Sequence, residues 1–198
     1  VGLREYDLEK KRDLLILLFG KETFNQIKME IVSQLSKDRN PSSIELFKRA
    51  LNDKDFLVRR AVVDDLEDLP ESILPGIEKL LNDTSYYTIE NTMKKLCRLY
   101  PANTKKYLEA VKGVRGINNN VLIASLELSS KESTDNSAQK QLVKFTSNQY
   151  EFRTRVRAIE ALERLSYCDE EFIKNLFNAC LYTNSRLANP AWRALKSL

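Results

Sequence analysis

The sequence of 198 residues contains no histidine. Without histidine there is no general base for a Ser-His-Asp or Cys-His system, and no H-E-x-x-H zinc helix. A zinc site would need thiolate and carboxylate ligands alone, and no pair of cysteines has C-x-x-C spacing. The phosphate-binding patterns G-x-x-x-x-G-K-[ST] and G-x-G-x-x-G are absent too. We therefore expect this chain to be non-catalytic and to hold no metal or other cofactor of its own.

Glycine and proline are scarce, with five residues of each. Because both residues interrupt helices, and because no run of β-branched residues favours strands, the composition predicts helix throughout. The three cysteines are an odd number with no disulfide framework. Cys97 and Cys180 fall in apolar helical stripes, and we interpret them as small buried hydrophobic residues.

Long apolar runs and strong net charge are also lacking. The longest apolar run covers residues 14–19, whereas a membrane-spanning helix needs about 20 residues. It has no small-residue cleavage site behind it, so it is a poor signal peptide. The net charge of +4 is far below that of a dedicated nucleic-acid binder. We expect no membrane partner and disfavour nucleic acid, and the compartment stays open.

An internal repeat is present. Leu51-Asn52-Asp53 recurs thirty positions on as Leu81-Asn82-Asp83, and the apolar residues that follow match at the same offset. The matched pairs are Leu57 with Tyr87, Val63 with Met93, Leu66 with Leu96, and Leu69 with Leu99. Because periods of about 20–50 residues mark repeat architectures, this spacing predicts a helical solenoid.

Apolar periodicity predicts helices along the whole chain. Residues 130–136 are polar and predict a loop, Gly20 is expected to end the first helix, and Pro70 the fourth. Ser42 or Ser43, and Thr84 or Ser85, are the predicted N-caps of the helices that follow them. The predicted helices cover residues 5–19, 22–36, 43–52, 55–69, 72–82, 86–100, 103–112, 117–129, 136–147, 150–166, 169–182 and 185–198.

These helices predict an all-α fold, a right-handed HEAT/ARM-like α-α superhelix of about five helix pairs. Each helix carries an apolar stripe, for example Phe24, Ile27, Ile31 and Leu35, that only a neighbouring pair can cover. We expect residues 1–198 to form one solenoid domain, with N-terminal capping helices over 1–40 and repeats over 41–198. The chain begins with valine, and we expect it to be a piece of a longer protein.

Five arginines and two aromatic residues are the candidate binding residues. A guanidinium fork suits planar anions, and the candidate contacts with an anion or a partner are Arg153, Arg155, Arg157, Arg186 and Arg193. For the arginines within residues 153–164, the alternative is a solvated, salt-bridged helix surface. For the last helix, the alternative is favourable placement of cations at a helix C-terminus. Trp192, one position off its apolar stripe, and Tyr86 are candidates for interdomain packing, with packing favoured over ligand stacking.

Arg59 and Arg60 suggest a structural role instead. HEAT-type repeats often carry an arginine after a valine, where it tethers an aspartate of a neighbouring repeat. The available aspartates are Asp53, Asp55 and Asp83. The sequence therefore predicts an ion-pair ladder that links successive repeats.

Two stretches resemble HEAT-repeat helices, residues 56–62 (FLVRRAV) and 155–162 (RVRAIEAL). Residues 50–56 and 81–87, with the Ala188–Trp192 ending, are more particular. They are similar to the C-terminal HEAT-like domain of zinc aminopeptidases of the aminopeptidase N family, especially bacterial ones. The HEAT-like resemblance covers most of residues 42–198.

This resemblance implies a role but no catalytic residue. The family's zinc-binding H-E-x-x-H and G-x-M-E-N type segments would lie upstream, in a catalytic domain that holds the zinc. This piece would pack on that domain and restrict the access of peptide substrates. The alternative is a stand-alone HEAT-repeat scaffold that binds a protein partner on its concave face. A DNA-binding HEAT protein is the least favoured alternative, because 32 basic residues are nearly balanced by 28 acidic ones.

Overall fold

A computed structural model describes residues 8–132 and 135–198. This part of the chain forms twelve α-helices and no strand, so the all-α prediction is confirmed. Every predicted helix has a counterpart. The helices are α1 Leu8–Lys21, α2 Asn25–Leu35, α3 Pro41–Leu51, α4 Phe56–Asp65, α5 Leu74–Lys79, α6 Tyr86–Leu99, α7 Thr104–Ala110, α8 Asn120–Glu132, α9 Ser137–Phe145, α10 Phe152–Arg164, α11 Glu170–Cys180 and α12 Ser185–Ser197.

Short polar side chains begin several of the helices. Asn40 accepts a hydrogen bond from the Ser42 N–H and precedes Pro41 at the first helical position of α3. The prediction of Ser42 or Ser43 as this cap was wrong, because proline at the first helical position moves the start forward. Ser85 caps α6, as predicted, by accepting from the Thr88 N–H.

Two predicted helix ends were wrong. Helix α1 continues through Gly20 to Lys21, because one glycine costs a helix only about 1 kcal/mol. Helix α4 ends at Asp65 rather than at residue 69, since Leu66 has an extended backbone. The ammonium group of Lys95 donates to the carbonyl oxygens of Val63 and Leu66. This buried cation satisfies carbonyl groups that the end of α4 leaves free.

Three further segments differ in detail. The predicted helix 72–82 consists of α5 between two short 3₁₀ turns, Glu71–Ile73 and Leu80–Asn82. Another 3₁₀ turn, Ile117–Asn119, precedes α8 and contains two residues with positive φ. Residues 130–132 of the predicted loop 130–136 belong to α8. Ser133 and Thr134, and residues 5–7 of the first predicted helix, lie outside the described residues.

The chain divides into two compact units, one covering described residues 8–103 and the other Thr104–Leu198. In the first unit α2 packs on α4 and α4 packs on α6, while α3 packs on α4. In the second unit α8 packs on α10 and α10 on α12, while α9 and α11 pack on the helices that follow them. Within each unit, the even-numbered helices therefore pack against one another in chain order. The single domain over 1–198 and the right-handed superhelix stay predictions.

Each unit has its own apolar core. The largest fully buried side chains of the first unit are Leu35, Leu46, Phe47, Leu66, Ile73, Ile77, Met93 and Leu96. The second unit buries Leu142, Ile159, Leu162, Phe172, Leu176 and Leu187 in one cluster. Ile31 and Leu35 are buried as predicted, but Phe24 and Ile27 are exposed. They lie at the start of α2, where the described residues provide no helix to cover them.

A repeated ion pair connects the helices of the first unit. Arg59 on α4 donates from Nε and Nη2 to both carboxylate oxygens of Asp83, at 2.6 and 2.9 Å. Lys28 on α2 donates to Asp53 at 2.7 Å, and Arg12 on α1 to Asp38 at 2.5 Å. In each case the cation and the aspartate are two helices apart. The aspartates lie in the turns before α3, α4 and α6, and their cations lie on α1, α2 and α4 respectively. The structure thus confirms the tether for Arg59 and identifies its aspartate as Asp83, whereas Arg60 pairs with Asp64 of its own helix.

Each of these aspartates also organises the turn in which it lies. Asp38, Asp53 and Asp83 accept the N–H of the residue two positions on, at 3.2, 2.9 and 2.8 Å respectively. That residue is the N-cap of α3, α4 or α6. Each carboxylate therefore fixes the start of the helix that follows it and also holds an earlier helix.

Hydrogen bonds keep two of these carboxylates ionised in spite of burial. Burial by itself would raise the pKa of Asp38, but the bonds from Arg12, Ser43 and the Asn40 N–H outweigh it and lower that pKa. Burial likewise opposes ionisation of Asp53, while the Asp55 N–H and Lys28 lower its pKa. The fold thus favours the ionised form of both carboxylates.

No helix among the described residues has both the length and the apolar character needed to cross a membrane.

Removing the Arg59 tether should destabilise the chain. We expect Arg59→Met to lower the free energy of unfolding by about 2–3 kcal/mol, because the Asp83 carboxylate stays behind with 3% of its side chain exposed. Urea unfolding followed by far-ultraviolet circular dichroism measures this loss. Arg60→Met is the matched control, since its ion pair with Asp64 is longer, 3.6 Å, and more exposed. It should cost about 0.5 kcal/mol or less, and equal losses would contradict the tether.

The lowered pKa of Asp38 predicts a pH dependence. A carboxylate whose folded pKa lies below its unfolded value stabilises the protein above the unfolded pKa, about 4. That contribution is lost as the pH falls through the folded pKa. Asp38→Asn should therefore show a smaller loss of unfolding free energy between pH 7 and pH 3 than the parent. Asp68→Asn, at an exposed carboxylate, serves as control and should retain the parent's dependence.

Candidate functional site

The five candidate arginines all lie in the second unit, three on α10 and two on α12. Their environments differ sharply. Arg153, Arg186 and Arg193 are exposed and Arg157 is partly buried, whereas Arg155 is only 3% exposed. The structure therefore separates one buried guanidinium from four arginines nearer the surface.

Two of the exposed arginines already have partners. Arg193 donates from Nε and Nη2 to the Glu163 carboxylate at 3.0–3.2 Å and lies 3.5 Å from Glu160. Arg153 lies over the ring of Phe152, with 5.5 Å between guanidinium carbon and ring centroid. Arg193 therefore pairs with carboxylates of α10, whereas the contact of Arg153 is with an aromatic ring.

Arg155 has a different environment. Its Nε donates to the carbonyl oxygen of Thr146, the residue at the C-terminal end of α9, at 3.0 Å. Its guanidinium carbon lies 5.6 Å from the centroid of the Tyr182 ring. No carboxylate among the described residues pairs with Arg155, and its buried Nη2 has no hydrogen-bond partner there. Burial lowers the pKa of Arg155, opposed only by Tyr182.

Thr146, which accepts from Arg155, also makes hydrogen bonds of its own. The Thr146 hydroxyl donates to the Val143 carbonyl at 2.6 Å and accepts from the Asn175 amide at 3.0 Å. The Thr146 carbonyl is used by Arg155 itself. Nη2 of Arg155 stays without an acceptor among the described residues, which is rare for a buried charged group.

The two aromatic candidates are half exposed. Trp192 has 47% and Tyr86 has 42% of its surface exposed. The half-buried position expected for Trp192 is confirmed, and interdomain packing by either residue stays a prediction. Exposed apolar side chains also surround the end of α11, namely Phe177, Leu181 and Tyr182.

Sequence reasoning missed Lys95, whose side chain is buried at the end of α4. Burial, and secondarily the charge of Arg98, lower the pKa of its ammonium group, against the opposing charges of nearby aspartates. Its two carbonyl partners give it a structural role. It lies off the apolar stripe of α6, so the sequence pattern gave no sign of its burial.

The described residues contain no group of three or more metal-ligating side chains arranged to hold an ion. The three cysteines are free. Cys97 is buried as expected, Cys168 is exposed, and Cys180 is only partly buried, so the prediction for Cys180 was too strong. Its partial exposure arises at the last residue of α11, where the helix leaves the core.

Comparison of the chain with protein-family models, curated protein sequences and solved structures found no match.

The environments of the cysteines predict their reactivity. In the folded chain Cys168 should react with a disulfide reagent fastest, and Cys97 only on unfolding, because a thiol must be accessible to form the attacking thiolate. Burial raises the pKa of Cys180, so that thiol should react more slowly than Cys168. Timed labelling read by mass spectrometry orders the three sites. Cys168→Ser should remove the fast phase, and fast labelling at Cys97 would contradict the packing of α6.

Proposed function

We propose that this chain is a non-catalytic helical module that acts by packing against a protein. By the sequence resemblance, that protein is the catalytic domain of a zinc aminopeptidase in the same longer chain. The module would then cover the chamber in which the peptide is cleaved and restrict peptide access. The zinc and the residues that cleave the peptide would belong to the catalytic domain.

The observation that best supports a packing role is the buried Arg155 beside an exposed aromatic and apolar helix end. A buried cation without a counter-charge is unfavourable in a chain that stays alone in water, and exposed apolar clusters are common at interaction sites. The absence of histidine from the sequence agrees with a role in binding rather than in catalysis. These features support packing on a protein, while the aminopeptidase partner rests on the resemblance of residues 50–56 and 81–87.

The proposal predicts a clear difference between this chain and its parent. The gene product that includes the residues upstream of Val1 should hydrolyse an aminoacyl-p-nitroanilide, lose that activity on treatment with a chelator, and regain it with zinc. The 198-residue chain alone should show no hydrolysis. Both are measured by nitroaniline release at equal molar concentration.

Two outcomes would overturn this assignment. One is chelator-sensitive hydrolysis by the 198-residue chain itself, and the other is a parent gene that encodes no H-E-x-x-H segment upstream. The second outcome, with a specific stoichiometric protein partner, would favour the stand-alone scaffold instead.

A further inference from the structure

Arg155 occupies the same place in its helix as Arg59 and Lys28, two of the three cations of the ion-pair repeat. Arg59 is the third residue after Phe56, the first residue of α4, and Arg155 is the third residue after Phe152, the first residue of α10. Lys28 is likewise third after Asn25 at the start of α2. The register therefore makes Arg155 the cation of a further tether.

The same register locates the residue that should pair with it. In the first unit the acidic partner lies two residues before an N-cap. That N-cap begins the helix two further along the chain than the helix that carries the cation. For α10 that helix is α12, whose N-cap is Asn184, and two residues before it stands Tyr182. The ring of Tyr182 indeed faces the guanidinium of Arg155. In α10 the cation is present in register and is buried, but Tyr182 occupies the position at which the carboxylate is expected.

A tyrosine ring does not replace the carboxylate fully. An exposed contact between a cation and a ring contributes about 0.5–1 kcal/mol, and it supplies no hydrogen-bond acceptor to Nη2. Arginine stays charged in proteins, so Arg155 remains a buried cation with an unused donor. Tyr182 is 48% exposed, whereas Nη2 of Arg155 is buried, so an approaching group would reach Nη2 only when the Tyr182 side chain moves aside.

The surface beside Tyr182 defines the kind of group that fits. Phe177 is 54% exposed and Leu181 is 82% exposed, and both belong to the last turn of α11 and the residue after it. An acidic group that reaches Arg155 would thus be flanked by apolar and aromatic side chains. The complementary ligand is a polypeptide segment with a carboxylate beside an apolar side chain.

We propose that Arg155 is the open half of the repeat's ion pair, and that an acidic side chain of a partner polypeptide, next to an apolar residue, supplies the missing carboxylate. This proposal rests on the proposed function only in requiring that the partner be a protein. It holds whether that protein is a catalytic domain of the same chain or a separate molecule.

A random display library of 12-residue peptides, panned against the 198-residue chain, provides the probe. We expect the enriched peptides to carry Asp or Glu adjacent to an apolar or aromatic residue. Arg155→Gln should weaken their binding about tenfold or more, because it removes one partner of a buried charge pair. Arg153→Gln, at the exposed arginine of the same helix turn, is the matched control and should change binding by less than about twofold.

Tyr182→Asp tests the same site in the opposite direction. By restoring the repeat's own carboxylate, it should raise the urea midpoint of unfolding and also weaken peptide binding about tenfold or more. This variant keeps the proposal testable if Arg155→Gln fails to fold after losing its bond to Thr146.

Three results would overturn the proposal. They are enriched peptides without an acidic residue, unchanged peptide binding by Tyr182→Asp, and displacement of the peptides by inorganic phosphate at concentrations where acetate has no effect. The last result would identify a phosphate site instead of a carboxylate site. None of these results depends on the hydrolysis assay of the parent protein, so this inference and the aminopeptidase assignment can fail separately.

Discussion

The ion pair between a cation near the start of one helix and an aspartate before a later helix is the constraint on which the first unit depends. Asp83 receives Arg59 with both carboxylate oxygens, and one of these also receives the Ser85 N–H. A single side chain thereby sets where α6 begins and how α4 lies against it. Because these carboxylates are nearly buried, the helices cannot shift without leaving a charge unpaired, which makes the register of the repeat specific.

The second unit has the cation of this ion pair but not its aspartate. There α10 carries its cation in register, but the turn before α12 offers Tyr182 in place of an aspartate. Burial of Arg155 is still maintained by the packing of α10 on α8, α9 and α12. The buried charge that completes an internal tether in the first unit therefore has no carboxylate partner among the described residues of the second.

Lys95 shows a related use of a buried cation. Its ammonium group donates hydrogen bonds to the carbonyl oxygens of Val63 and Leu66. In the same way, Nε of Arg155 donates to the carbonyl oxygen of Thr146. In both cases a positive group lies at the C-terminal end of a neighbouring helix, where the helix dipole favours it. Part of the interaction of Arg155 is thus structural, and only its unused donor capacity points to a ligand.

Much of the architecture was accessible from pattern alone. The thirty-residue offset between residues 51–53 and 81–83, and the apolar stripes, predicted the helices, because local periodicity reflects which face of a helix is buried. The tether of Arg59 was predicted from the likeness to HEAT-type repeats. Helix ends were less accessible. The end of α4 depends on Lys95, thirty positions after Asp65, and no local pattern records such a contact.

The sequence by itself determined the helical class, the absence of imidazole chemistry and the repeat that pairs Arg59 with an aspartate. Only the tertiary structure decided which of the five candidate arginines is buried. Arg153, Arg155 and Arg157 follow one another at intervals of two positions, yet Arg155 is buried, Arg157 is partly buried and Arg153 is exposed. That outcome depends on which helices pack around α10 and on the residue that the turn before α12 presents to it.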